Sequence, residues 1–184
     1  QQRAPSIGAA SDGRFAVAWE DDTDGNGYFE IYVRGFTASG EERFARRTVN
    51  ATSSGQQRNP ALAMAPDGRF VVAYEDDQDN DGHYQIRVRG FAANGSPSFA
   101  DRSVHDDAQG HRAKPAVAMA ADGSFVVVWE DDSDLNGMYQ IRARGFAADG
   151  TPRWAAITVN SKSAGQQLRP SVGADAQGGF VVAW

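Results

Sequence analysis

The stretch Asp67-Gly68-Arg69-Phe70-Val71-Val72-Ala73-Tyr74-Glu75-Asp76-Asp77 returns 55 residues later as Asp122-Gly123-Ser124-Phe125-Val126-Val127-Val128-Trp129-Glu130-Asp131-Asp132. The same pattern stands earlier as Asp12-Gly13-Arg14-Phe15-Ala16-Val17-Ala18-Trp19-Glu20-Asp21-Asp22, and once more as Phe180-Val181-Val182-Ala183-Trp184. Outward from this stretch the step is kept without insertion. Pro5, Pro60, Pro115 and Pro170 obey it, as do Ile31, Ile86 and Ile141 and the Arg-Gly-Phe triplets that begin at Arg34, Arg89 and Arg144. The 184 residues thus hold three full repeats, approximately 1–55, 56–110 and 111–165, and the first third of a fourth, 166–184. Self-similarity at a fixed period marks a repeat architecture, in which each unit buries its apolar surface on its neighbours.

The second repeat shows what one unit is. Pro60 to Met64 is short and apolar and closes on the turn Pro66-Asp67-Gly68. Arg69 to Tyr74 is rich in β-branched and aromatic residues, and an acidic loop runs from Glu75 to Gly82. Tyr84 to Phe91 alternates as a strand, Ala93-Asn94-Gly95 turns it back, and Phe99 to His105 is a weaker fourth strand. A polar linker, Asp106 to Lys114, leads to the next proline. The second strand of each unit is apolar on both faces, with Phe125, Val127 and Trp129 on one and Val126 and Val128 on the other. Two dry faces put that strand between layers. The expectation is an all-β chain of four-stranded antiparallel sheets packed face to face about an axis, a β-propeller or part of one, as a single domain. Rings of this kind close with about 4–8 units, so either the chain is a piece of a longer one or copies associate to complete the ring. The opening residues align with the interior of later repeats, which places the natural N-terminus upstream.

Composition narrows the function. Hydrophobic residues make up 41% of the chain, enough to bury a core. The net charge of −6 and pI near 5.0 argue against a nucleic-acid partner, since phosphate binding needs a basic face. There is no cysteine, hence no disulfide and no thiolate metal site. No apolar run has the length of a membrane span, so no membrane insertion is expected.

The acid is concentrated in Asp22-Thr23-Asp24-Gly25-Asn26-Gly27, Asp77-Gln78-Asp79-Asn80-Asp81-Gly82 and Asp132-Ser133-Asp134-Leu135-Asn136-Gly137. All three fit D-x-D-x-[DN]-G, in which alternate residues aim oxygens inward and the glycine permits a sharp turn around a hard cation such as Ca²⁺. The candidate ligands are Asp22, Asp24, Asn26, the Tyr28 carbonyl and Glu30; Asp77, Asp79, Asp81, the His83 carbonyl and Gln85; and Asp132, Asp134, Asn136, the Met138 carbonyl and Gln140. Asp-rich turns also occur without metal, because Asp and Asn side chains satisfy turn backbone. Three at one register favour one Ca²⁺ per complete repeat, and three such ions would offset the charge of −6. An EF-hand is ruled out, because the position of its bidentate Glu is held by Val33, Val88 and Ala143.

These loops resemble the calcium hairpin loops of integrin α-subunit propellers, the FG-GAP type, with Glu30, Gln85 or Gln140 where that pattern has a final Asp. They also lie between the second and third strands rather than the first and second. The wider unit, Asp-Gly-x-Phe-Val-Val-x-Trp after Gln-x-x-x-Pro, resembles the repeats of large secreted bacterial RTX-type adhesins. That resemblance covers nearly the whole chain and implies an extracellular surface or matrix setting, and no reaction.

Other repeated residues have two readings each. Trp19, Tyr74, Trp129 and Trp184 suit either sugar stacking or core packing, and they share a face with Phe15, Phe70, Phe125 and Phe180, which favours the core. Arg34, Arg89 and Arg144 suit an anion-binding ring or, preferably, salt bridges to Glu20, Asp21, Glu75, Asp76, Glu130 and Asp131. Gln56, His111 and Gln166 suit a ligand groove or the capping of loop backbone. His83, His105 and His111 have no recurring partners, and no nucleophile elbow, HExxH or P-loop occurs. Near-perfect repetition shows no one-off residue for an axial catalytic site. The expectation is therefore a calcium-binding, non-catalytic module for adhesion or scaffolding in a secreted or surface protein, with a protein or glycan ligand. The alternatives are a carbohydrate-binding, lectin-like propeller, or the accessory propeller of a secreted hydrolase.

Overall fold

The computed structural model describes residues 1–107 and 109–184. Strands β1 (Gln2–Ala9), β2 (Phe15–Asp21), β3 (Glu30–Phe36) and β4 (Glu42–Thr48) form one antiparallel sheet in chain order. β5 (Gln56–Met64), β6 (Phe70–Asp77), β7 (Gln85–Phe91) and β8 (Pro97–Ser103) form the second. β9 (His111–Met119), β10 (Phe125–Asp132), β11 (Gln140–Phe146) and a short β12 (Ile157–Thr158) form the third. β13 (Ser171–Ala174) pairs with β14 (Phe180–Ala183) in a two-stranded sheet. Among the described residues there is no helix. β1 lies against β5, β5 against β9 and β9 against β13, so the sheets stack around their first strands as blades of a β-propeller.

Two dry faces explain the second strands. Ala16, Ala18, Ile31 and Val33 of the first blade pack on Phe70, Val72, Tyr74 and Phe91 of the second. Val71, Ala73, Ile86 and Val88 on its other face meet Phe125, Val127, Trp129 and Phe146 of the third. Val126, Val128 and Ala143 then meet Val172 and Val182. Each such side chain taken fully out of water contributes about 1.5–3 kcal/mol. Tyr74 and Trp129 are core residues, as their shared face with the phenylalanines implied.

The recurring Arg-Gly-Phe triplet has a packing cause. Aromatics of the fourth strands, Phe44 and Phe99, lie directly over the third-strand glycines Gly35 and Gly90, and Trp154, just before the short β12, lies over Gly145, so that a Cβ would collide with each ring. The same aromatics stack on the next blade, Phe44 on Phe70 at 5.9 Å, Phe99 on Phe125 at 5.9 Å and Trp154 on Phe180 at 5.9 Å. The glycine thus lets an aromatic of one blade lie flat and reach the next.

The arginines depart from expectation. Arg34 pairs with Glu42, Arg89 donates to the Val49 carbonyl at 3.0 Å, and Arg144 donates to the Val104 carbonyl at 3.0 Å and pairs with Asp106 at 2.8 Å. None of them pairs with the acids that flank the loops, because those acids have other work. Asp21, Asp76 and Asp131 meet Arg46, Arg87 and Arg112. Glu20, Glu75 and Glu130 are buried and cross to the following blade. Their carboxylates accept the backbone N–H groups of Asn59 at 2.7 Å, Lys114 at 2.7 Å and Arg169 at 2.6 Å.

Those three acceptor bonds require a bulge. The register of β5 against β6 shifts between Arg58 and Ala61, and β1 and β9 shift at the same place. The bulged residues have left-handed φ, at 49° for Ala4, 49° for Asn59 and 51° for Lys114, and Arg169 at the same register of the repeat has 58°. The proline that follows each of them has no N–H to lose from the ladder, which suits a bulge. The polar stretch expected as a linker is also partly strand. His111 already pairs with Asp132, and Arg112 N–H donates to the Tyr84 carbonyl of the preceding blade at 2.8 Å. Polar composition disguised an inner strand whose start is hydrogen-bonded on both sides.

Two substitutions test this account in chemical denaturation. Glu75→Ala leaves the Lys114 N–H and the Asn59 amide without their acceptor and is expected to cost about 2–3 kcal/mol, whereas Glu75→Gln keeps one acceptor and costs less. Gly90→Ala is expected to cost about 1–3 kcal/mol by overpacking Phe99, and Phe99→Leu in the same chain recovers part of it.

Candidate functional site

Each acidic loop joins the second and third strands of its blade. In the second blade the ligand atoms of Asp77, Asp79 and Asp81 lie within 4.8 Å of one another. Asp77 is buried at the strand end while Asp79 and Asp81 are exposed. Burial holds the Asp77 carboxyl above its ordinary pKa, and the charges of Asp81 and Asp79 add to the effect. Asp77 accepts the Gly82 N–H at 3.4 Å and Asp81 accepts the His83 N–H at 2.7 Å through one oxygen. In the other two loops the third position is an amide already engaged twice. Asn26 Oδ1 accepts the Tyr28 N–H at 2.7 Å and its Nδ2 donates to Asp24, and Asn136 does the same with Met138 and Asp134. Asp22 and Asp132 accept the N–H groups of Gly27 and Gly137.

The outer members of the predicted ligand sets diverge. Glu30 is buried beside the first loop; burial, then the charge of Asp24, raises its pKa. The Gln85 side-chain oxygen accepts from Arg112 at 2.7 Å, and that of Gln140 accepts from Asn160 at 2.6 Å. Their amide nitrogens donate to the His83 and Met138 carbonyls, each at 3.3 Å. Gln85 and Gln140 thus spend their oxygens on Arg112 and Asn160 and their nitrogens on carbonyls, the predicted ligand carbonyls of His83 and Met138 among them. The arrangement assembles the short carboxylate cluster and spends the more distant residues on backbone.

Gln56 and His111, which begin β5 and β9, and Gln166 at the same register of the repeat are caps. The Gln56 oxygen accepts the Phe29 N–H at 3.4 Å, His111 Nδ1 accepts that of Tyr84 at 3.2 Å and the Gln166 oxygen accepts that of Tyr139 at 3.2 Å. His105 likewise fills a repeated post. Asn50 and Asn160 accept the N–H groups of Ile31 and Ile141, and His105 Nε2 accepts that of Ile86 at 3.4 Å. That bond requires Nε2 to be unprotonated, which leaves Nδ1–H to donate to the Asp107 carbonyl. Burial, reinforced by the Arg112 charge, lowers the His105 pKa to about 3. Burial acts the opposite way on Asp76, whose pKa rises to about 6 although Gln57 and Arg87 stabilise the charged form.

Where the first strands meet, they line an open cavity of about 340 Å³. Its lining is one register of the repeat taken four times: Ala4-Pro5, Asn59-Pro60, Lys114-Pro115 and Arg169-Pro170. The prolines repeat and the residues before them do not. These are the one-off axial residues that the repetition had concealed. A larger cavity, about 370 Å³, lies between the second and third blades, but Phe70, Phe91, Phe99 and Met119 line it and its Arg69 and Asp67 pair with each other at 2.6 Å. The volume of the axial cavity falls at the lower end of the range for ligand sites, about 300–1,000 Å³.

Comparison with known proteins gives the fold its company. No protein-family model matches the chain, and no curated protein matches it. Solved structures do. The GH93 α-L-arabinofuranosidase of Fusarium graminearum, in complex with arabinobiose, matches 97% of this chain and 57% of its own, with TM-score 0.63 and 15% identity. The α-L-arabinanase of Penicillium chrysogenum matches 97% of this chain and 57% of its own, with TM-score 0.60 and 14% identity. An endo-arabinase from Bacteroides thetaiotaomicron matches 97% of this chain and 68% of its own, with TM-score 0.56 and 12% identity. The chain is a β-propeller. It spans 57–68% of the length of these three chains, and at such identities the likeness is one of fold.

This company corrects the functional expectation. These three propellers are glycoside hydrolases, which overturns the reading of a non-catalytic module for adhesion or scaffolding and the expectation of no enzyme. The physical reason for the error is local. The argument against catalysis rested on the absence of one-off axial residues, and Asn59, Lys114 and Arg169 are such residues. Of the resemblance to FG-GAP and RTX-type repeats, these findings support the β-propeller fold alone.

The His105 assignment makes a pH prediction. Its folded pKa near 3 lies below the ordinary value of 6.5, so its share of stability is complete above about pH 6.5 and is lost as pH falls toward 3. Asp76 has the opposite sign: its cost grows between about pH 4 and 6 as the unfolded carboxyl ionises first. In thermal melts from pH 7 to 4, His105→Asn, which supplies the acceptor of Asn50 and Asn160, is expected to lose less melting temperature than the parent chain.

Proposed function

We propose that this propeller is a carbohydrate-active domain that holds a glycan at its axial cavity, in a protein of glycoside-hydrolase type acting outside the cell or at its surface. The axial cavity carries this reading. It is the place where the repeat abandons its own symmetry, and it offers convergent polar groups, Asn59, Lys114 and Arg169, above a rigid floor of prolines. A sugar presents hydroxyls that donate and accept, and such polar groups on a preorganised frame suit them. The arabinose-directed neighbours support the substrate class, and arabino-oligosaccharides are the first ligands to test.

Glycan-array binding, isothermal titration and release of reducing sugar from plant polysaccharides test the proposal directly. Binding of an oligosaccharide that Lys114→Gln weakens several-fold, with the melting temperature little changed, is the expected result. Failure to bind or cleave any glycan in the panel would overturn it.

We also propose Ca²⁺ as a structural ion, held first by Asp77, Asp79 and Asp81. Hard oxygen ligands suit this cation, and three carboxylates in one turn repel one another until a cation sits among them. Asp81 keeps one oxygen free of the His83 N–H, whereas the corresponding amides of Asn26 and Asn136 are spent on their neighbours, so the second loop is expected to bind most tightly. Melting in millimolar Ca²⁺ against excess EDTA, with Mg²⁺ as control, should show a calcium-specific rise of about 2–4 °C for each kcal/mol of binding. Asp77→Ala with Asp79→Ala should remove most of that rise. An equal response to Mg²⁺, or none to either ion, would count against the assignment.

A further inference from the structure

The axial cavity has a charge that the rest of the chain does not predict. The protein carries −6 overall, yet the cavity lining contains Lys114 and Arg169 and no carboxylate. Both residues are exposed. Their hydrogen bonds among the described residues run from the backbone N–H groups to Glu75 and Glu130, which leaves the ammonium and the guanidinium without a protein partner. Several arginines elsewhere in the chain form ion pairs, as Arg87 does with Asp101 at 2.6 Å and Arg112 with Asp131 at 2.9 Å.

The backbone beneath these two cations is strained. Lys114 has φ of 51° and Arg169 of 58°, and each precedes a proline, which normally holds its predecessor in the extended region. Left-handed backbone at a residue other than glycine costs about 1–3 kcal/mol. The left-handed φ is common to all four registers, and the N–H bond to the preceding blade offsets it in three of them. An asparagine, such as Asn59, fits left-handed backbone more readily than lysine or arginine does. Lys114 and Arg169 are thus poor choices for the backbone and are explained by what their side chains do. Across the cavity, Ala4 brings no polar side chain, and the Asn59 amide donates to Glu75 at 2.7 Å. The positive charge therefore belongs to the third and fourth blades alone.

From this juxtaposition we infer that the axial cavity binds an acidic sugar, with the carboxylate of a uronic acid residue held between Arg169 and Lys114. The inference rests on the glycan reading above and deepens it. A guanidinium presents a planar fork that matches a carboxylate through two parallel bonds, and a lysine ammonium adds a point charge without directional demand. The Glu75 and Glu130 carboxylates that take the peptide N–H groups fix the backbone from which both cations extend, so the site is set by the blade junctions and not by a loop. The ring of prolines supplies an apolar floor for the sugar face. One uronate carboxylate would be neutralised at the cavity.

Titration calorimetry with three oligosaccharides of matched length separates the possibilities: an oligogalacturonate, a neutral arabino-oligosaccharide and a sulfated neutral oligosaccharide. The oligogalacturonate is expected to bind at least tenfold more tightly than the neutral sugar, with an affinity that falls as NaCl is raised. Lys114→Gln and Arg169→Gln should each weaken it about tenfold, and Arg169→Lys should restore only part of the loss because the fork is gone. Melting temperatures of the three variants serve as the folding control, and replacing these exposed side chains should leave them close to the parent. Equal binding of the neutral and acidic sugars would overturn this inference while leaving the glycan reading standing. Equal binding of the sulfated and uronate sugars would overturn the carboxylate assignment. Binding of none of the three would overturn both.

Discussion

A buried glutamate at the end of each second strand holds the blades in their order. Glu20, Glu75 and Glu130 lie at 2–6% exposure and give a carboxylate oxygen to a backbone N–H of the next blade. An ionised carboxylate without partners in such a place would cost several kcal/mol, so the following blade must bring its donor to the same point each time. The donor is a peptide N–H in a bulge, and the bulge fixes the left-handed residue, the proline after it and the spacing of the inner strands. From this one constraint follow the constancy of the Glu and the Pro and the absence of any insertion in the 55-residue period. Dispersion and burial between the second strands provide most of the energy, but apolar faces alone tolerate sliding. A charge-assisted bond to a single N–H does not.

The same constraint separates structure from function within one dipeptide. The bulged position is held by its backbone, so its side chain is released from packing and becomes free to vary. Ala4, Asn59, Lys114 and Arg169 occupy equivalent places with quite different chemistry, on a frame that hardly changes. A propeller that carries a ligand site at its axis has this requirement: identical blades for stability and unlike side chains at the centre for recognition. Comparison with glycoside hydrolases of the same architecture is consistent with that division, since the likeness at 12–15% identity lies in the frame.

The histidines show how a repeat can hide a role. His105 and His111 look like singular residues in sequence, and singular histidines invite a catalytic or metal-binding reading. In space His105 performs the task of Asn50 and Asn160, and His111 the task of Gln56 and Gln166. An imidazole nitrogen and an amide oxygen are interchangeable as acceptors of one backbone N–H. The exchange has a consequence that asparagine lacks, because a buried imidazole must stay neutral to accept.

The sequence by itself determined the all-β class, the 55-residue unit, its four-strand order and the burial of Tyr74 and Trp129. Each of these rests on hydrophobic period, turn residues and repetition, which are local or translational properties of the chain. It also located the acidic loops between second and third strands, since turns with Asp and Gly announce themselves. What it could not decide was which polar residues meet across a blade junction. Glu75 and the Lys114 N–H are 39 residues apart, and nothing in the period says whether Arg89 turns to Glu75 or to the Val49 carbonyl. Only the stacking of the blades settles such choices, because side chains spaced along one chain become neighbours through the rotation between sheets. That rotation also brings four separate pre-proline residues, scattered over the sequence, to the lining of one cavity.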